Sequence, residues 1–280
     1  MTIRLVADST CDLPEDLVRA HQITIIPAYI NIGDQSYQEG IDLQRNQFYA
    51  DLPNYPAHPT TAAPSPGVFT AVYEQLAQAG ATAIISVHIA GQFSSFLAMA
   101  HQGGEAVSRA RVIPFDSQTL SMGIGLQVLG AAEDIEAGLP LEEVLTRMED
   151  RRRRVRVYAG LDTLEFLRRG GRVSFLEAGL GALLKIKPIM QVNQGEVNAV
   201  EKVRTSKRVP EKLVEIAGQL GPMEALTVLH ANAEAEADAL REQLRPFFPG
   251  GRTPLTLGIT PALGVHIGPG AIGFACILRS

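Results

Sequence analysis

Short apolar runs alternate with amphipathic segments along this chain, and that alternation constrains the fold more than any other feature. Residues 3–7, 81–90, 111–115, 155–161, 225–231 and 271–278 are apolar stretches of strand length. Between them lie segments with apolar residues at helical spacing, predicted as helices over 13–21, 66–79, 94–108, 119–137, 141–154, 163–169, 210–220 and 234–244. Strands covered on both faces read as continuous apolar runs, and covering helices bury one stripe each. The pattern therefore predicts an α/β protein. Asp12 is expected to cap the first helix, with Pro14 in its opening turn, and Ser65 followed by Pro66 reads as another helix start. Residues 23–32 read as one strand, 44–52 as a short helix, and 186–192 with 196–203 as a hairpin around Asn193-Gln194-Gly195.

The character changes near residues 155–160, after two long helices. We expect two α/β domains, 1–157 with a three-layer, mostly parallel sheet arrangement and a smaller 158–280, with a ligand tunnel between them. A net charge of −5 does not suggest a sequence-independent nucleic-acid binder, which would need a basic surface. No stretch approaches the ~18 apolar residues that span a bilayer, so any membrane contact is transient at most. Cys11 and Cys276 lie at opposite ends in no metal spacing, as for reduced thiols, and the start has no secretory pattern; a cytoplasmic location is expected.

Five clusters carry candidate chemistry. Asp8-Ser9-Thr10-Cys11-Asp12 follows the first strand, where open α/β sheets place ligands. Thr60 and Thr61 sit in a proline-stiffened segment upstream of Ser65. Ser94 and Ser95 follow a buried strand and open a helix, whose free N–H groups attract anions. Arg168, Arg169 and Arg172 flank a glycine pair, and Arg204 sits in a further basic stretch. His266 lies in Gly264-Val265-His266-Ile267-Gly268-Pro269-Gly270, which reads as a shaped loop holding one titratable group. There is no dinucleotide or P-loop glycine signature, no zinc spacing and no G-x-S-x-G elbow, so neither a cofactor, a metal site nor a catalytic residue is assigned.

Taken in order, the clusters resemble the DegV family of bacterial fatty-acid-binding proteins over about residues 3–278. Asp8-Ser9-Thr10-Cys11-Asp12-Leu13-Pro14 is similar to D-S-x-x-D-L-P, Thr61-Ala62-Ala63-Pro64-Ser65-Pro66-Gly67 to T-S-Q-P-S-P-G, and Asp116-Ser117 to a later D-S. Leu164-Glu165-Phe166-Leu167-Arg168-Arg169-Gly170-Gly171-Arg172-Val173-Ser174 matches L-x-x-L-x-R-G-G-R-I-S. Lys185-Ile186-Lys187-Pro188-Ile189 matches K-x-K-P-I, and the His266 segment matches H-x-G-P-G-A-I-G. One motif departs: where the family has L-S-G-T-Y-x-S-A, this chain keeps Ser94 but has Ser95 and Phe96 for the glycine and threonine.

The resemblance implies a long-chain fatty acid such as palmitate in an internal tunnel, its carboxylate held by Thr61 and Ser94. It further implies a lipid-carrying subunit that presents the acid to a separate ATP-binding kinase subunit for acyl phosphate formation. Ser95, His266, Arg172, Arg204 and Ser9 are secondary candidates around the head group. The physics fits such a ligand. A buried carboxylate needs donors, and each buried CH₂ contributes about 0.8 kcal/mol, on the order of 10 kcal/mol gross for a long chain. Phe93, Phe96, Leu97, Leu164, Phe166, Leu167, Leu176, Leu180 and Ile267 are candidate walls. Two alternatives stand beside this reading: a stand-alone enzyme acting on a small acid or ester with His266 as acid/base, and a lipid-dependent module that binds a protein through its basic surface.

Overall fold

The computed structural model describes residues 1–172, 186–251 and 253–280. The chain opens with β1 (Ile3–Asp8), a 3-10 turn (Ser9–Cys11), α1 (Glu15–Ala20), β2 (Thr24–Ile26), β3 (Tyr29–Ile32) and β4 (Gln35–Gln38). Next come α2 (Arg45–Asp51), β5 (Thr60–Ala62), α3 (Pro66–Gln78), β6 (Ala83–His88), α4 (Phe96–Glu105), β7 (Arg111–Asp116), α5 (Met122–Glu136) and α6 (Leu141–Arg154). The rest comprises β8 (Val155–Gly160), α7 (Glu165–Arg169), β9 (Lys187–Asn193), β10 (Glu196–Val203), α8 (Arg208–Gln219), β11 (Met223–His230), α9 (Glu234–Gln243), β12 (Thr256–Gly258), α10 (Pro261–Ile267) and β13 (Ile272–Leu278).

Among the described residues, three sheets form. The first is parallel throughout, in the order β2-β1-β6-β7. All six residues of β6 are buried, as expected for a strand covered on both faces. The second has the order β10-β9-β8-β13-β11-β12 and is antiparallel except for the β11–β12 pair. A small antiparallel sheet, β4-β3-β5, occupies the long proline-rich connection. The molecule is thus an α/β protein with a parallel four-stranded sheet and a mixed six-stranded one.

Alternation along β8 and β9 sorts side chains to opposite faces. Tyr158 and Ile189 join Val209, Leu213 and Phe274 under α8 and α9. Val157, Leu161, Met190 and Val192 point the other way, into the main core. Helix α5 lies between the two large sheets, touching β1 and β6 on one side and β8, β11 and β13 on the other. Eleven of its residues are buried, including Gly123 and Gly125. A Cβ on Gly123 would stand 2.8 Å from Val157 Cγ2, and one on Gly125 would stand 2.7 Å from the Cys11 carbonyl oxygen. Those two glycines let α5 approach both sides at once.

Three expectations change. Asp12 is no helix cap: Pro14 occupies the N-cap position of α1, and Asp12 (φ 55°) closes the 3-10 turn with its carboxylate buried. Residues 23–32 form two strands, because the chain leaves the parallel sheet after Ile26 and re-enters pairing at Tyr29 in the small sheet. Ser65 at the N-cap of α3 and Pro66 at its first position are as expected, although the serine side chain makes no capping bond. The segment holding His266 is a helix, α10, with Thr260 at its N-cap and Pro261 at its first position; only Gly268-Pro269-Gly270 is loop. The glycines disguised this helix, since glycine disfavours a helix interior on its own. The hairpin is as expected, Gln194 and Gly195 both taking positive φ in its turn.

Replacing Gly125 by alanine should force α5 away from the Cys11 carbonyl. We expect a loss of about 1–3 kcal/mol in urea unfolding with the cooperative transition retained; unchanged stability would show that the contact relaxes freely.

Candidate functional site

The carboxyl ends of β1 and β6, the small sheet, α10 and the core face of β8–β10 enclose a cavity of ≈ 190 Å³. Its walls are apolar over most of their extent: Ile89, Phe93, Phe96, Leu120, Val157, Leu161, Met190, Val192 and Leu263 are among them. Cross-strand register explains the floor. Val157 pairs with Val192, Ala159 with Met190, and Val197 with Val192, so one face of three strands presents its side chains together. A smaller chamber of ≈ 50 Å³ shares Leu120, Val157, Ala159, Leu263 and Ile267 with it and reaches Leu229 and Ile272; Ser121 and His230 also border it, but the surface it exposes is apolar.

The polar lining is Thr10, Thr61, Ser94, Ser95, Arg172 and His266. Phe93, Ser94, Ser95 and Arg172 also line an outer groove with Gln92 and His101, so they mark the mouth. Thr61, at the centre of β5, lies 3.0 Å from His266 Nε2 through its Oγ1. Ser94 and Ser95 precede α4, and Ser95 occupies the N-cap with no side-chain capping bond. The first N–H groups of α4 therefore retain their capacity for an acceptor. Arg172 donates through Nη1 to the Gly170 carbonyl at 2.8 Å. Gly170 in turn backs onto His266: a Cβ there would meet Nδ1 at 2.3 Å.

Burial, with Arg172 and His58 close by, pushes the His266 imidazole down to about 4. The ring is neutral at pH 7, and its Nδ1 is buried without a partner among the described residues. His58 is lowered for the same first reason, burial, and then by Arg169.

Comparison with known proteins decides the family. The family model described as "Uncharacterised protein, DegV family" matches residues 2–279. The chain belongs to the DegV family. It is 34% identical to Protein DegV of Bacillus subtilis (strain 168) over 278 residues, covering 98% of each chain. The crystal structure of that fatty acid binding protein superposes with a TM-score of 0.88, covering 99% of both chains. A DegV family protein from Thermus thermophilus, described by its fatty acid binding, is 32% identical and gives a TM-score of 0.91 over 100% of both chains. Among the described residues, no helix is long and apolar enough to cross a membrane.

In this DegV chain the structure brings Thr61, Ser94, Ser95, Arg172 and His266 to one cavity, although they span more than 200 positions. It leaves two expected residues outside. Ser9 spends its hydroxyl on Glu39 and accepts the Ala28 N–H at 2.9 Å, both inside the fold. Arg204 is exposed after β10, the edge strand of the mixed sheet, and is not among the residues that line the cavity. Asp8, also considered for the site, is fully buried. Its carboxylate accepts from His88 Nδ1 and the Ile89 N–H, both at 3.0 Å, and from the Thr10 N–H at 3.1 Å and hydroxyl. Tyr73 donates to Ser86 and Ser86 to His88 Nε2, completing a chain that fixes the strand ends.

Of the expected walls, Phe93, Phe96, Leu167 and Ile267 line the cavity, and Leu97 lines the outer groove. Phe166 instead lines a separate groove with His58, and Leu164 belongs to the surrounding core. Leu176 and Leu180, with Val173, Ser174 and Lys185 of the quoted motifs, lie outside the described residues. Phe96, the departure from the family motif, is buried, stacked on His88 at 6.0 Å between centroids and set edge-on to Phe69 at 6.1 Å. Sequence reading missed the strand walls Val157, Ala159, Met190, Val192 and Val197. The alternation 157-159-161 was the available signal, but without strand pairing it does not tell a cavity wall from ordinary core.

A histidine held neutral contributes stability that is present above its unfolded value of 6.5 and is lost as pH falls toward about 4, because the unfolded chain then binds a proton the folded one excludes. Relative to His266→Asn, the parent should lose up to about 3 kcal/mol of unfolding free energy between pH 6.5 and 4 in urea titrations. Parallel pH profiles of the two proteins would contradict this.

Proposed function

We propose that the chain holds a long-chain fatty acid in this cavity, tail inward and carboxylate at the mouth, with Thr61 and Ser94 as its principal donors. The supporting observation is the contrast along the cavity: hydroxyls, Arg172 and the start of α4 at the mouth, and an adjoining chamber with an apolar surface that shares walls with the cavity but none of the mouth residues. The B. subtilis and T. thermophilus relatives described as binding fatty acids support the same ligand class. Two units would close around the acid from opposite sides; the division expected at 157/158 would fall inside β8, so it is placed at the junction of α6 and β8 instead.

The Thr61–His266 pair suits an anion. With a hydrogen on Nε2, neutral His266 donates to Thr61 Oγ1 and frees the threonine hydrogen for a carboxylate oxygen. Neutral donors and the positive end of α4 stabilise the charge while leaving an oxygen open toward the groove. That opening fits presentation of the acid to a separate ATP-dependent kinase subunit, since the chain has no phosphate-cradling signature of its own. Transfer to the carboxylate oxygen would give an acyl phosphate. As a general base at neutral pH, an imidazole at about 4 is weak, which disfavours the stand-alone enzyme reading. A cytoplasmic protein without cofactor or metal is consistent with this role.

Gentle purification followed by native mass spectrometry should find one long-chain acid per chain; a polar metabolite in its place would reject the ligand class. Thr61→Ala combined with Ser94→Ala should weaken palmitate binding roughly 100-fold, from two hydrogen bonds to a charged group at about 1.5 kcal/mol each; loss of the Thr61–His266 bond should lower the melting temperature while the cooperative unfolding transition is retained. Equal affinity in the double variant would mean the carboxylate lies elsewhere. With ATP and palmitate alone, the purified chain should form no acyl phosphate.

A further inference from the structure

Two buried carboxylates outside the cavity grip the helix that carries His266. Asp12 Oδ1 accepts the Thr260 N–H at 2.7 Å, and Glu39 Oε1 accepts the Ala262 N–H at 2.6 Å. Their second oxygens are also occupied, Asp12 Oδ2 by the Ser121 hydroxyl at 2.5 Å and Glu39 Oε2 by Ser9. Pro261 has no N–H, and Leu263 and Gly264 donate back to the Thr260 carbonyl at 3.1 and 2.9 Å. Every N–H in the first turn of α10 is thereby satisfied, and none remains for a ligand.

A seven-residue helix does not persist alone, so its anchors set its position. Further along, Tyr49 and Phe48 of α2 press on Gly264, where a Cβ would lie 2.5 Å from the tyrosine oxygen. Ala262 and His266 are separated by four residues and share a face, and both line the cavity. A shift at Ala262 is transmitted along one helical turn to the ring that faces Thr61.

We propose that Glu39 and Asp12 are positioning residues of the binding site: by holding the first turn of α10, they set His266 against Thr61. Ser9 enters at one remove, since its hydroxyl orients Glu39 and its oxygen is steadied by the Ala28 N–H. Burial pushes the carboxyls up, Glu39 to about 7 and Asp12 to about 6, against the opposing pull of their hydrogen bonds and of nearby Arg45. Holding them buried therefore costs stability, as expected of groups kept for placement.

Glu39→Gln keeps an oxygen for Ala262 and Glu39→Ala removes it, so the pair separates anchoring from mere occupancy. ¹⁵N-detected titration of the His266 ring in the ligand-free protein reads placement directly, and the affinity arm, palmitate binding, rests on the function proposed above. In Glu39→Ala the ring midpoint should rise from about 4 toward 6.5, and palmitate should bind about tenfold more weakly. In Glu39→Gln both should stay at parent values. A folded Glu39→Ala protein with an unmoved His266 midpoint would overturn the proposal, as would equal losses in the two variants. If Glu39→Ala does not fold, Ser9→Ala supplies the milder cut: a raised midpoint supports the anchor and an unmoved one refutes it. Failure of the parent to bind palmitate would reject the ligand reading alone, because the titration needs no lipid.

Discussion

The structure depends on one helix being buried on every side. Helix α5 is apolar almost all round, and such a helix has to be covered by other elements rather than by water. Helix α6, the 3-10 turn and two sheets supply the cover, the parallel sheet through β1 and β6 and the mixed one through β8, β11 and β13. With α5 as the shared layer, the carboxyl ends of the parallel strands come to face the core side of β8–β10. The cavity is the space left where α5 ends and the small sheet and α10 take over. Its walls therefore come from both halves of the chain, as ligand sites between packed units commonly do.

Ionisable groups near this space follow the cost of burying charge. Asp8 is surrounded by four donors, Asp12 and Glu39 each bind a backbone N–H of α10, and His266 is kept neutral. What remains at the mouth is a mixture of hydroxyls, one guanidinium and the start of α4. Such a set binds an anion without wrapping it, in contrast to a bidentate arginine clamp. In the proposed complex, depth would supply affinity through the apolar tail, and the mouth would supply register.

Much of this was legible along the chain. The apolar runs marked the strands of both large sheets, and the hairpin turn was found at Gln194-Gly195. Five of the seven proposed site residues share one cavity. Ser9 and Arg204 lie outside it for opposite reasons. Ser9 sits in a site-like loop, yet its hydrogen bonds turn into the fold. Arg204 sits in a basic stretch, yet strand order carries it to an edge. The helix α10 escaped notice because Gly264 weakens helix propensity locally, while the close approach of Tyr49 demands that glycine. Propensity is a local quantity, and packing overrode it.

Residue order alone determined the α/β class, the elements and the kinds of side chain available to a carboxylate, because periodicity and turn chemistry are local. Only the tertiary structure decided which of those side chains meet. Thr61 and His266 lie 205 positions apart and form one hydrogen bond. Glu39 reaches α10 across 223 positions, and Val157, Met190 and Val192 become a wall only through strand register. Such contacts depend on how distant surfaces pack, and no spacing within the chain encodes them directly.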